Sequence, residues 1–141
     1  MGRGGTIFKQ RAAKAALTSI TYPGIPASVP AARRLVRGVF ARSPRVDDLE
    51  LIAAELITNA LRHTPSGREG GVVTITVWRE PRRARLEVAD QGGRPWRPPP
   101  PHGNGVAEDG RGLAIVAALA DDVGYGTAAG QRWVTWAEVG W

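Results

Sequence analysis

Glu55 and Asn59 stand four residues apart in ELITNALRHT (residues 55–64), a stretch whose apolar residues follow a helical period. That spacing puts both side chains on one strip at the edge of an apolar helix face. A carboxylate there can take a proton from a hydroxyl, and an amide carbonyl one turn on can ligate Mg²⁺. A solvated helix edge has the same spacing, so the pair alone decides nothing. Asp90-Gln91-Gly92-Gly93 ends an alternating run, ARLEVAD, whose period of two puts Asp90 on the face of Leu86 and Val88. A carboxylate aimed toward a covering layer needs donors, because an unpaired buried charge is costly. The exocyclic amine of adenine is one candidate donor, and Gly92 and Gly93 would let a flat ring approach the backbone. An ordinary turn is the plainer reading. Gly110-Arg111-Gly112-Leu113 opens an apolar segment. Small residues at a helix start leave backbone N–H groups at the positive dipole end, where a phosphate can sit, although glycine can equally serve close packing there.

The elements that must position these residues follow from periodicity. Pro23 and Pro26 keep residues 20–26 extended, and Ser28 with Pro30 starts a helix over 31–41 that ends at Ser43-Pro44. A clearer helix is predicted from Asp47 to His63, with acids at its start and Pro65 and Gly67 just past its end. Residues 72–78 (VVTITVW) and 84–90 read as strands. A long loop follows, containing PWRPPPP at 95–101, then a buried helix over about 113–120 and a last strand over 132–139. Period two also puts Arg85, Glu87 and Ala89 on the solvent face. The order αα, ββ, loop, α, β predicts an α+β protein, a two-layer α/β sandwich in which a mixed sheet carries helices on one face.

Composition narrows the chemistry. The chain has 141 residues, which suits one domain. It has no cysteine, which excludes disulfides, thiolate catalysis and zinc-cysteine sites, and two histidines, His63 and His102, which argue against a multi-histidine metal centre. No apolar run is long enough for a membrane helix, and the amino end makes a poor secretory signal, so a cytoplasmic location is expected. The net charge is +6, and residues 1–46 hold nine basic side chains and no acid. A basic first third can steer anionic partners, nucleic acid among them. However, seventeen Arg against two Lys, with many Ala, Gly and Pro, also fits GC-rich coding.

Taken in order, the three blocks resemble the N, G1 and G2 boxes of the GHKL ATPases. The resemblance covers roughly residues 20–140. ELITNALRHT, VADQGG (88–93), GRGLAIVAALAD (110–121) and the final VTWAEV are similar to the branch of anti-sigma factor serine/threonine kinases. It implies a Bergerat-type fold over residues 19–141, preceded by a flexible basic tail (1–18), with an ATP lid at about 94–109 stiffened by Pro98–Pro101. Asn59 would ligate Mg²⁺ bridging the ATP phosphates, and Glu55 would deprotonate an incoming hydroxyl. Asp90 would bind adenine with Gly92 beside it. Gly110 and Gly112 would meet the phosphates where the last helix starts, next to Leu113, and Arg111 would either touch phosphate or point outward. The family often places a Thr near adenine on the last strand; Thr135 shares a face with Trp133, Ala137 and Val139, but aligning VTWAEV by its Trp shifts the Thr by one place. The resemblance further implies ATP and Mg²⁺ as cofactors, a sigma factor and an anti-anti-sigma antagonist as protein partners, and a homodimer, with no direct nucleic-acid or membrane contact. Two other readings compete: a non-catalytic nucleotide-binding interaction module, and DNA binding by the basic first third, which predicts steep salt dependence and no need for Asp90.

Overall fold

The computed structural model describes residues 16–92, 108–128 and 132–141. The elements are β1 (Ala16–Pro23), α1 (Ser28–Val39), α2 (Val46–His63), a 3₁₀ turn (Pro65–Gly67), β2 (Val72–Glu80), β3 (Arg83–Asp90), α3 (Glu108–Leu119), β4 (Asp122–Ala128) and β5 (Arg132–Gly140). The basic stretch 1–15, most of the expected lid, His102 and Trp96 lie outside the described residues. The sheet begins at Ala16, so residues 16–18, expected in the tail, belong to it.

The five strands form one sheet in the order β1-β2-β3-β5-β4. The two-layer α/β sandwich with helices on one face is therefore the observed architecture, but every neighbouring pair is antiparallel, where a mixed sheet was expected. The reason is β4, a strand the sequence pattern does not predict. It forms a hairpin with β5, and β5 inserts between β4 and β3 and runs against both.

The core lies where the sheet meets α1 and α2. Leu49, Ile52, Ala53, Leu56, Ile57 and Ala60 recur at helical spacing along α2 and are all buried. They pack on Val73, Ile75 and Val77 of β2 and Leu86 and Val88 of β3, the inward sides of two period-two strands. Arg37 of α1 holds α1 to α2 through Asp47 and Glu50. The helix start is less simple than expected: Ser28 does not cap α1 but donates to the Pro23 carbonyl at 2.6 Å, tying the helix to the end of β1.

α3 is predicted to be buried all round, and it is not. Val116 is buried and Leu113 and Leu119 pack against the core, while Ala114, Ala117 and Ala118 are exposed. Alanine favours a helix without needing burial, so an apolar composition here reflects helix propensity as much as core position.

Arg45, just before α2, fixes the carboxyl end of α3. Its guanidinium pairs with Asp48 at 2.6 Å and donates to the carbonyls of Leu119 (2.7 Å) and Gly140 (3.4 Å). The last carbonyls of a helix lack intrahelical partners, so a cation there satisfies both hydrogen bonding and dipole. Arg45→Met is expected to lower stability by about 2 kcal/mol, read as an earlier thermal unfolding midpoint. An unchanged midpoint would show that the clamp is dispensable.

The face away from the helices is closed by its own side chains. Arg85, expected in solvent, is 7% exposed. Its guanidinium lies 4.2 Å from the Trp136 ring centroid and bonds Glu138 (3.2 Å) and Glu87 (3.3 Å). Flat contact with an aromatic ring and paired carboxylates together replace the water an arginine normally keeps. Trp136 in turn lies over Gly124, where a Cβ would collide with the indole.

Candidate functional site

At the carboxyl end of α2 the chain makes a tight turn that ties helix to sheet. Thr64 donates to the Ala60 carbonyl at 2.7 Å and accepts from the Ser66 N–H at 3.1 Å, closing the 3₁₀ turn. Ser66 is fully buried, and its hydroxyl accepts the Gln91 N–H at 2.9 Å. The end of β3 is thus locked beside the end of α2. Sequence reasoning missed Ser66 as a positioning residue; the signal was a Thr-Pro-Ser-Gly turn directly behind the helix.

That lock puts Asp90 at the layer boundary. Asp90 is 4% exposed, on the helix side of the sheet as its alternation predicts. One oxygen accepts the Gly92 N–H at 2.7 Å. Gly92 adopts φ +62°, a conformation glycine takes without steric cost. Burial pushes the Asp90 carboxyl up to about 6, with the Gly92 N–H bond opposing the shift. Among the described residues this one backbone N–H is the donor that meets the buried carboxylate, which leaves it capacity for further donors. Thr135 is nine-tenths buried, lies opposite Val88, and shares the helix-side face with Asp90.

Asn59 is 8% exposed on α2, and its amide is not tied to any described residue. One turn earlier, Glu55 reaches α3: a Cβ added at Gly112 would stand 2.6 Å from its Oε2. Glycine at 112 is what admits the carboxylate against this helix. α2 therefore presents Glu55 toward α3 and Asn59 nearer the end where Ser66 holds β3.

The glycine run itself differs from expectation. α3 opens at Glu108 rather than near Leu113. Gly110 stands in the first turn, where N–H groups lack intrahelical acceptors, while Gly112 lies past it. The helix thus runs through both glycines, whose low helix propensity the folded chain overrides. Gly112 is accordingly placed to accommodate Glu55 rather than to open the helix, and Leu113 packs on the core. The role expected of the Arg111 side chain lies outside the described residues.

No group of three His, Cys, Asp or Glu side chains able to hold a metal occurs among the described residues. A Mg²⁺ held by one amide oxygen, phosphate oxygens and water does not require one, and the Asn59 carbonyl is a hard donor of the right kind. No helix among the described residues is long and apolar enough to cross a membrane.

The site thus combines a buried, under-satisfied acid at a sheet end, an untied amide on the covering helix, and a carboxylate set against a second, glycine-containing helix. The family model for the histidine kinase-like ATPase domain matches residues 23–137, a span that takes in all of these. No curated protein matches the chain.

Proposed function

Since the chain belongs to the histidine kinase-like ATPase domain family, we propose that it is an ATP-dependent regulator that transfers the γ-phosphoryl group to a serine or threonine of a partner protein, as anti-sigma factor kinases do. Asp90 is the observation that most supports the nucleotide part of this reading. A carboxyl that is 4% exposed and bonded to one N–H suits an exocyclic amine donor and is poor design for stability alone.

The chemistry divides among the chain's own residues. Asp90 holds the base and sets its orientation. The Asn59 carbonyl would hold Mg²⁺, which when bound neutralises phosphate charge. Glu55 takes the proton of the incoming hydroxyl as it attacks, leaving positioning to do most of the remaining work. The partners proposed are a sigma factor, bound in one state, and an antagonist protein that supplies the hydroxyl.

A second reading is favoured by the start of α3 at Glu108. With Gly112 wound into the helix past its first turn, the Gly112 N–H is engaged within the helix instead of facing a phosphate, which suits a nucleotide held without transfer as part of an interaction module. Incubating the chain with Mg²⁺ and γ-labelled ATP alongside candidate antagonist proteins separates the two. Label on a serine or threonine supports the kinase. Tight ATP binding with no transfer to any antagonist supports the module.

Asn59→Ala is expected to weaken ATP binding by roughly tenfold with Mg²⁺ present and far less in chelator. Calorimetric titration in both conditions checks this, and equal losses would remove Asn59 from the metal.

A further inference from the structure

Trp133 is the residue directly opposite Asp90 in the pairing of β3 with β5. Opposed residues of an antiparallel pair share a face and hold their Cβ atoms about 5 Å apart. Trp133 therefore shares the helix-side face of the sheet with Asp90, in the neighbouring position on the next strand. Its indole is held in place by Tyr125 of β4, with ring centroids 5.3 Å apart and planes 26° from parallel. The Nε1 atom of Trp133 is shielded from solvent and has no acceptor among the described residues. A buried indole N–H ordinarily finds one, and leaving it without is unfavourable.

Two neighbouring groups are thus incompletely satisfied, and they are of opposite kind. Among the described residues Asp90 is an acceptor bonded to one N–H, and Trp133 is a donor with its ring stacked on Tyr125. Adenine presents the complementary pair on one edge: an amine that donates, flanked by ring nitrogens that accept. We propose that Trp133 is a base-recognition residue, donating its indole N–H to a purine ring nitrogen, N1 or N7, beside the amine held by Asp90. The inference rests on the nucleotide reading above and extends it to the residue that reads the ring.

The test is calorimetric titration of the full chain and of Trp133→Phe with the Mg²⁺ complexes of ATP, 1-deaza-ATP and 7-deaza-ATP. Phenylalanine keeps the ring against Tyr125 and removes only the donor. For the unaltered chain, one of the two deaza analogues is expected to bind about tenfold more weakly than ATP, the size of one hydrogen bond. Trp133→Phe is expected to bind ATP about tenfold more weakly and to lose its discrimination against that same analogue. A deaza penalty that persists undiminished in Trp133→Phe overturns the proposal. So does an equal loss for all three nucleotides, which would mean that the indole's acceptor belongs to the chain. ATP binding that depends on Asp90 but is indifferent to Trp133→Phe sinks this inference alone, whereas absence of ATP binding to the unaltered chain sinks the nucleotide reading with it.

Discussion

Glu55→Gln is expected to reduce phosphoryl transfer by about a thousandfold while leaving the affinity for Mg²⁺-ATP little changed. A positioned general base contributes on the order of 10² to 10⁴ in rate, and glutamine cannot accept the hydroxyl proton. The substitution is nearly isosteric, so the space that Gly112 leaves for Oε2 remains filled and α3 keeps its seat. Binding and chemistry should therefore separate: kcat falls, and the dissociation constant measured by calorimetry does not. Transfer of γ-label to a serine of an antagonist protein gives the rate. A Glu55→Gln chain that transfers at the original rate would remove Glu55 from the reaction and leave it a packing role against α3.

Asp90→Asn should lower ATP affinity by about 10- to 100-fold, the range for losing a charge-assisted hydrogen bond to a buried carboxylate. The pH dependence gives this change a signature that simple structural damage would not share. With its carboxyl raised to about 6, Asp90 is mostly ionised at pH 7 and mostly protonated at pH 5. The ionised form accepts more strongly from an amine, whereas the protonated carboxyl keeps only a neutral carbonyl acceptor, so affinity should decline as pH falls through about 6 and level off near that of Asp90→Asn. Asp90→Asn carries no such titration, and subtracting its profile removes whatever the nucleotide phosphate contributes. Stability runs the other way. A carboxyl whose folded value lies above its ordinary 3.8 stabilises the fold in its protonated form. That contribution is complete below the ordinary value and is lost as pH rises through about 6. Asp90→Asn should therefore unfold at a higher temperature than the unaltered chain at pH 7 and lose that advantage near pH 4. Gain of stability with loss of binding is what a functional residue held under strain of desolvation produces. Loss of both would make Asp90 a structural residue.

Much of this site can be read in the sequence because its placement obeys simple periods. Leu86 and Val88 fix the parity of β3, and with it the side that Asp90 occupies; the period of 3.6 stacks Glu55 under Asn59. What escapes such reading depends on contacts between distant segments. β4 carries Gly124 and Gly126 and reads as a loop, yet Gly124 is the seat of the Trp136 indole, which only the register between β4 and β5 reveals. Arg85 looks solvated on its own strand; its cover comes from Trp136 and Glu138 of β5. Ser66 has no pattern of its own, and only the Gln91 N–H gives its hydroxyl a purpose. The start of α3 at Glu108 escapes the pattern because two glycines, poor helix formers, stand in its first residues. Trp133 and Tyr125 are separated by one hairpin and meet only because β4 and β5 pair.

A rival location for an anionic ligand exists at the far end of the sheet. There a cleft of about 390 Å³ is lined by Phe40, Arg42, Arg79 and Trp141 among others. Backbone-amide chemical-shift mapping during titration with Mg²⁺-ATP decides between the two ends in one experiment. If the nucleotide lies between the layers, the largest shifts fall on Asp90, Gln91 and Gly92, with Asn59 and Gly112 following, while Phe40, Arg79 and Trp141 stay still. Shifts concentrated on Phe40, Arg42, Arg79 and Trp141, with Asp90 and Gly92 unmoved, would contradict the nucleotide site at its root.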